Sequence, residues 1–191
     1  AMVVTMVPAL GSGSSTVQAA ENEKNLTIHF MMPSNWGWTT PAIQFWGGTA
    51  AVTGNTNTES PDGTEIKVSF HITPEAASAC LDQVYFFYMV VNLVDNAIKY
   101  SGDHPCVTID CWKENDNFVI AVRDNGIGIP KREQKRIFRA FYRMNTRCVR
   151  RTTGFGLGLT FVRKVVDTYG GDIQVESKVG VGSSFIVVLP Q

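Results

Sequence analysis

From Leu81 to Lys99 the chain runs without glycine or proline, and Leu81, Val84, Tyr85, Tyr88, Val91, Val94 and Ile98 recur at helical spacing. That pattern predicts one long amphipathic helix, which must lay its apolar side on another layer. Asn92 and Asn96 are four residues apart, so their amides leave one face, and Lys99 follows within a turn. Two amide oxygens and an ammonium on one face suit a Mg-phosphate group: the oxygens can bind a hard cation or its waters, and the ammonium offsets phosphate charge. The plainer reading is that the two amides satisfy each other and nearby backbone.

Two strand-like runs follow, Cys106 to Trp112 and Phe118 to Val122, and Asp124 stands at the end of the second. Behind it come Gly126, Ile127, Gly128, Ile129 and Pro130. A carboxylate at a strand end can accept from an exocyclic amine, while glycines let backbone come close to a flat ring. An ordinary Asp-Asn-Gly turn is the alternative. Further on, GFGLGL (Gly154 to Leu159) precedes a helical pattern through Phe161, Val162, Val165, Val166 and Tyr169 that stops at Gly170 and Gly171. Glycines ahead of a helix leave N–H groups free for phosphate, and the helix dipole adds to the attraction. Alone, such a string also fits a flexible linker; in this order the three segments describe one nucleotide pocket.

VVNLVDNAIKYSGD, DNGIGIP and GFGLGL resemble the N, G1 and G2 boxes of the ATP-binding domain of sensor histidine kinases, within the Bergerat-fold group that includes gyrase, heat-shock chaperones and mismatch-repair ATPases. IFRAFYR (Ile137 to Arg143) resembles the kinase F box, and GVGSSFIVVLP (Gly180 to Pro190) the closing G3 segment and last strand. The resemblance covers about residues 64–191. It implies an α+β fold, a two-layer α/β sandwich with helices on one face of a mixed, mostly antiparallel sheet. The gyrase and chaperone branches carry a Glu as general base one turn before the Mg-binding Asn, where this chain has Asn92. Asp95 points roughly 100° away from Asn96 and is a poor replacement. The resemblance therefore implies phosphoryl transfer to a histidine rather than efficient hydrolysis, the protein supplying position and charge.

By that resemblance the cofactors are ATP and Mg2+. Asn96 would hold the metal with help from Asn92, and Asn92, Asn96 and Lys99 form the catalytic group. Lys99 and Arg143 would approach the phosphates and Tyr100 would close over the nucleotide. Asp124 would accept from the adenine amine, with Gly126, Gly128 and Ile129 shaping the pocket. Gly154, Gly156, Leu157 and Gly158 would line the phosphate side. Arg139, on an expected short helix from Lys131 to Arg139, reads equally as a phosphate contact or a solvated charge. MNTRCVRRTT, with Arg147, Arg150 and Arg151, reads as a lid over the nucleotide or a solvated charge run.

None of the three histidines lies in the setting of a phosphoacceptor helix: His29 and His71 fall in strand-like runs, as structural histidines do, and His104 on a loop. The implied partners are a histidine phosphoacceptor and dimerisation domain and, through it, a response regulator. No stretch is apolar for long enough to cross a bilayer, so an anchor of the parent kinase would lie outside this chain. Cys80, Cys106, Cys111 and Cys148 show no disulfide or zinc spacing, which fits a reducing, cytoplasmic setting.

Residues 1–63 differ in kind. Their only charged residues are Glu21, Glu23, Lys24, Glu59 and Asp62, yet they hold three of the four tryptophans. Residues 64–191 carry the other 16 basic and 13 acidic residues, an excess that suits a polyphosphate but is too small to suggest a nucleic-acid surface. Residues 1–20 read as a signal-peptide tail or a low-complexity terminus. Residues 21–63 form a β-like segment and linker, with the junction expected in the polar stretch Thr53 to Gly63. That segment resembles the start of a starch-binding module, in which Trp36, Trp38 and Trp46 would stack on sugars or fill a core. Two other functions therefore stand beside the kinase reading: a nucleotide-dependent interaction module without transfer, and a carbohydrate-binding protein acting through those tryptophans.

Overall fold

The computed structural model describes residues 52–59, 65–73, 75, 76, 79, 81–145 and 154–191. Six strands and two long helices follow in the order β1 (Val52–Glu59), β2 (Glu65–Ile72), α1 (Gln83–Lys99), β3 (Cys106–Glu114), β4 (Asn117–Asp124), α2 (Gly158–Thr168), β5 (Asp172–Lys178) and β6 (Gly182–Pro190). The sheet order is β1-β2-β3-β4-β6-β5. Only β2 and β3 run parallel, with Phe70 opposite Ile109; the other four pairings are antiparallel. That parallel pair needs a long crossover, and α1 supplies it. The expected two-layer arrangement is the one found.

Local sequence explains the elements. Asp82 caps α1 by accepting from the Val84 and Tyr85 N–H groups at 3.0 Å each. Asn115 and Asp116, at φ 47° and 64°, make the two-residue turn between β3 and β4, a conformation these side chains tolerate. The core lies between helices and sheet, where Met89, Leu93, Val107, Ile109, Ile120, Val162, Val187 and Leu189 are closed to solvent. Phe86 meets Phe118 edge to face, with centroids 5.5 Å apart.

Three expectations change. Of the expected helical stripe, Val91 and Ile98 are buried, but Val84, Tyr85 and Tyr88 are 61%, 50% and 48% exposed, and Phe86, Met89, Val90, Leu93 and Ala97 face the core. The first half of the helix, Val84 to Val91, is apolar all round, so periodicity there could not choose a side; the sheet did. Lys131 to Arg139 is a run of turns rather than a helix. The polar stretch expected as a junction contains β1, which pairs with β2 from Val52 opposite Ile72 to Glu59 opposite Glu65. As expected, β6 is more deeply buried than β5: Phe185, Val187 and Leu189 are buried, while Ile186 and Val188 stay partly open. Among the described residues no helix is long and apolar enough to cross a membrane.

Candidate functional site

The C-terminal half of α1, the loop after β4, the segment before α2 and the start of β6 surround one cavity of about 590 Å3, within the range of pockets that hold small ligands. Of the residues singled out from sequence, Asn92, Asn96, Lys99, Tyr100, Asp124, Gly128, Ile129, Arg143, Gly154, Gly156, Leu157 and Gly158 all line it. Gly126 and Arg139 do not. Gly126 acts one step back, donating its N–H to Asp124 Oδ1 at 2.8 Å, and Arg139 is exposed. Arg147, Arg150, Arg151, His29 and the tryptophans Trp36, Trp38 and Trp46 lie outside the described residues.

Asp124 is fixed at its strand end by a second bond, from the Ser183 N–H to Oδ1 at 3.1 Å. Both bonds fall on Oδ1 and leave Oδ2 for a ligand donor. Burial raises the Asp124 pKa above the ordinary aspartate value, and the two N–H donors only partly offset this. The neighbouring Gly128 has φ 68°, and a Cβ there would stand 2.1 Å from the Lys178 carbonyl oxygen. Its glycine is thus required by the packing of the loop on the β5–β6 turn. Ile129 N–H to Ser177 Oγ, 2.7 Å, and Gly180 N–H to Ile127 O, 2.9 Å, complete that attachment.

On the opposite wall Asn92 gives its amide nitrogen to the Tyr88 carbonyl at 2.7 Å. Its oxygen faces α2, 2.6 Å from where a Cβ on Gly158 would sit, so a glycine lets the two helices meet at this amide. Lys99 Nζ is 2.5 Å from Asp95 Oδ2, with both side chains mostly buried. Burial raises the Asp95 pKa, and the bond and charge of Lys99 oppose that rise. Asp95 also lines the cavity, as the partner of Lys99. Arg143 NH1 donates to the Gly154 carbonyl at 3.0 Å.

The sequence reading missed Ile127, Ile137, Tyr142, Met144, Phe155, Leu159, Ser183 and Phe185, which complete the lining. They are mostly apolar, and in a sequence an apolar pocket residue looks like any core residue. His71, read as structural, is in β2 with Nδ1 2.9 Å from Asp110 Oδ1; Asp110 also pairs with Arg123. Cys106 and Cys111 are free thiols.

Comparison with known proteins places these features in a family. Residues 81–191 match the family described as histidine kinase-, DNA gyrase B-, and HSP90-like ATPase. The chain is 38% identical over 111 residues to the sensor protein RprX of Bacteroides fragilis, covering 57% of this chain and 21% of that protein. It is 40% identical over 103 residues to the circadian input-output histidine kinase CikA of Synechococcus elongatus, covering 54% of this chain and 14% of that one. The chain therefore spans about a fifth or less of the length of these relatives. Among solved structures, the mycobacterial sensor histidine kinase MprB superposes with a TM-score of 0.50 at 26% identity, over 66% of this chain and 76% of that one. Full-length ShkA, solved with AMPPNP, superposes with a TM-score of 0.51 at 25% identity, over 57% of this chain and 22% of that one. With the family match extending over more than half of its length, the chain belongs to the histidine kinase-, DNA gyrase B- and HSP90-like ATPases.

Proposed function

We propose that the chain acts as the ATP-binding catalytic domain of a sensor histidine kinase. It moves the γ-phosphoryl group of ATP to a histidine on a phosphoacceptor and dimerisation domain, and through it to a response regulator. The single observation that carries this reading is that residues from three separate segments face one cavity: Asn92, Asn96 and Lys99 from α1, Asp124 from the end of β4, and Gly154 to Gly158 before α2. The structure of ShkA with AMPPNP gives a relative whose title names an ATP analogue, and the same ligand class suits this cavity.

Each wall has a task. Asp124, through Oδ2, accepts from the adenine amine, and the apolar side chains of Ile127, Ile129, Met144 and Phe185 sandwich or edge the base. Lys99 and Arg143 offset phosphate charge, and N–H groups at the start of α2 add to it. Asn96 and Asn92 would hold Mg2+, which supplies charge neutralisation of the phosphates. The amide oxygens suit such a hard cation, and the bond from Asn92 nitrogen to Tyr88 directs the Asn92 oxygen to the Gly158 side of the cavity. Among the described residues no carboxylate takes the place of a water-activating base: Asp95, the carboxylate beside Asn96, is engaged by Lys99. The protein contributes position and charge, and the acceptor imidazole supplies the nucleophile.

Calorimetric titration of the full chain with ATP and Mg2+ tests the proposal, alongside Asn96→Ala and Asp124→Asn. Both variants should bind at least about tenfold more weakly, the effect of removing one charge-assisted contact. A folded wild-type chain that takes up no ATP would overturn the reading. Slow phosphate release with transfer to a supplied phosphoacceptor domain separates the kinase from an interaction module that binds nucleotide without transfer.

A further inference from the structure

We propose that Glu133 is a positioning residue for the phosphate side of the pocket: through Tyr142 and Arg136 it fixes the segment 141–143, which carries Arg143 and holds the turn at Gly154 to Gly156. This deepens the kinase reading and rests on it, since its readout is nucleotide affinity.

Glu133 lies among turns, outside the cavity, yet its side chain is only 13% exposed. A carboxylate so covered needs partners. The Tyr142 hydroxyl donates to Oε2. Arg136 NH1 reaches both oxygens, at 3.3 and 3.4 Å. Arg136 also lies over the Tyr142 ring, its guanidinium carbon 4.6 Å from the centroid, so one arginine clamps the acid and the ring together. Arg132, whose Nε is 3.6 Å from Oε1, is 86% exposed and adds little. The bond to Glu133 is the first cause of a raised Tyr142 pKa, which keeps the phenol a donor.

Tyr142 links this cluster to the pocket. Tyr142 lines the cavity, as does the next residue, Arg143. Three consecutive residues are joined to the glycine segment. The Phe141 N–H donates to the Gly156 carbonyl at 3.0 Å. The Tyr142 carbonyl oxygen lies 2.8 Å from where a Cβ on Gly156 would stand. Arg143 NH1 donates to the Gly154 carbonyl at 3.0 Å. Phe141 is held at φ 62°, a left-handed conformation that an aromatic residue adopts only when its surroundings impose it. Of those surroundings, the anchor on the far side of Tyr142 is Glu133. A merely stabilising ion pair would have no reason to end on a pocket residue.

The test is Mg-ATP titration of the full chain and of Glu133→Ala, Tyr142→Phe, the double variant and Glu133→Gln, with thermal unfolding measured on each. Glu133→Ala should weaken ATP about five- to tenfold, and the double variant should be no weaker than that, because both changes break one linkage. Glu133→Gln keeps an acceptor for the hydroxyl and should restore most of the affinity. Equal affinity of wild type and Glu133→Ala, with only a lower melting temperature, would overturn the proposal and leave the kinase reading standing. Strictly additive effects would overturn it as well. If Glu133→Ala fails to fold, Tyr142→Phe, which removes one oxygen atom, decides: undiminished affinity sinks the idea and reduced affinity supports it. A wild-type chain that does not bind ATP would overturn both.

Discussion

Asp124 carries the sharpest prediction at the scale of single residues. Its pKa is raised by burial, so its folded value lies above its unfolded one. The ionised form then costs stability at neutral pH, and the cost disappears below the unfolded pKa. Asp124→Asn keeps an oxygen for the Gly126 and Ser183 N–H groups and carries no charge. It should be at least as stable as wild type in urea at pH 7 while binding ATP far less well, because its amide nitrogen would meet the adenine amine donor to donor. The same shift predicts that wild-type affinity falls on acidification at a pH above the ordinary aspartate range. The ratio of wild-type to variant affinity across pH isolates that step from titration of the phosphates. The place of Asp124 at the cavity was legible in the sequence because it ends a strand and glycines follow. That of Asp95 was not: the sequence shows an acid beside Asn96, and only the fold brings it into the cavity as the partner of Lys99.

At the scale of elements, α1 presents two faces that differ in kind. Met89 is closed to solvent and Tyr88 is 48% exposed, packed edge to face on Phe161 of α2 with centroids 6.3 Å apart. Met89→Ala should lose about 2–5 kcal/mol in chemical unfolding, and Tyr88→Ala less than about 1.5 kcal/mol. The reverse order would mean that α1 meets the sheet with its other side. Asp82 caps the same helix with two bonds, and Asp82→Ala should lower stability by about 1 kcal/mol, measured in the same way, without changing ATP affinity. The strands were easier to recognise than the faces of the helix. Short apolar and β-branched runs mark β3 and β4 locally, whereas the apolar first half of α1 can be oriented only by what lies against it. The Lys131 to Arg139 segment had helical composition but follows Pro130 and packs through Glu133 and Ile137. Its backbone closes mainly through bonds three residues apart, Glu133 to Pro130, Arg136 to Glu133 and Arg139 to Arg136, as successive turns do.

For the whole molecule, sheet and helices meet the ligand as one body: the cavity is walled by α1, the β4 loop, α2 and β6. Binding should therefore stabilise the entire described fold. Mg-ATP at a hundred times its Kd should add about 2.7 kcal/mol to unfolding, read as a rise in Tm, and at the same concentration a tenfold weaker Asn96→Ala should keep only about half of that gain. Legible in the sequence were α1, α2, the strands after β1, their order and most of the pocket's polar residues, because spacing of amides, strand-end carboxylates and glycine runs is a local, covalent property of the chain. Tertiary structure alone decided which side of α1 is buried, why Gly128 and Gly158 must lack a Cβ, and that Glu133 reaches the pocket through Tyr142. Each of these depends on a distance between segments far apart in sequence, and local periodicity holds no record of such distances.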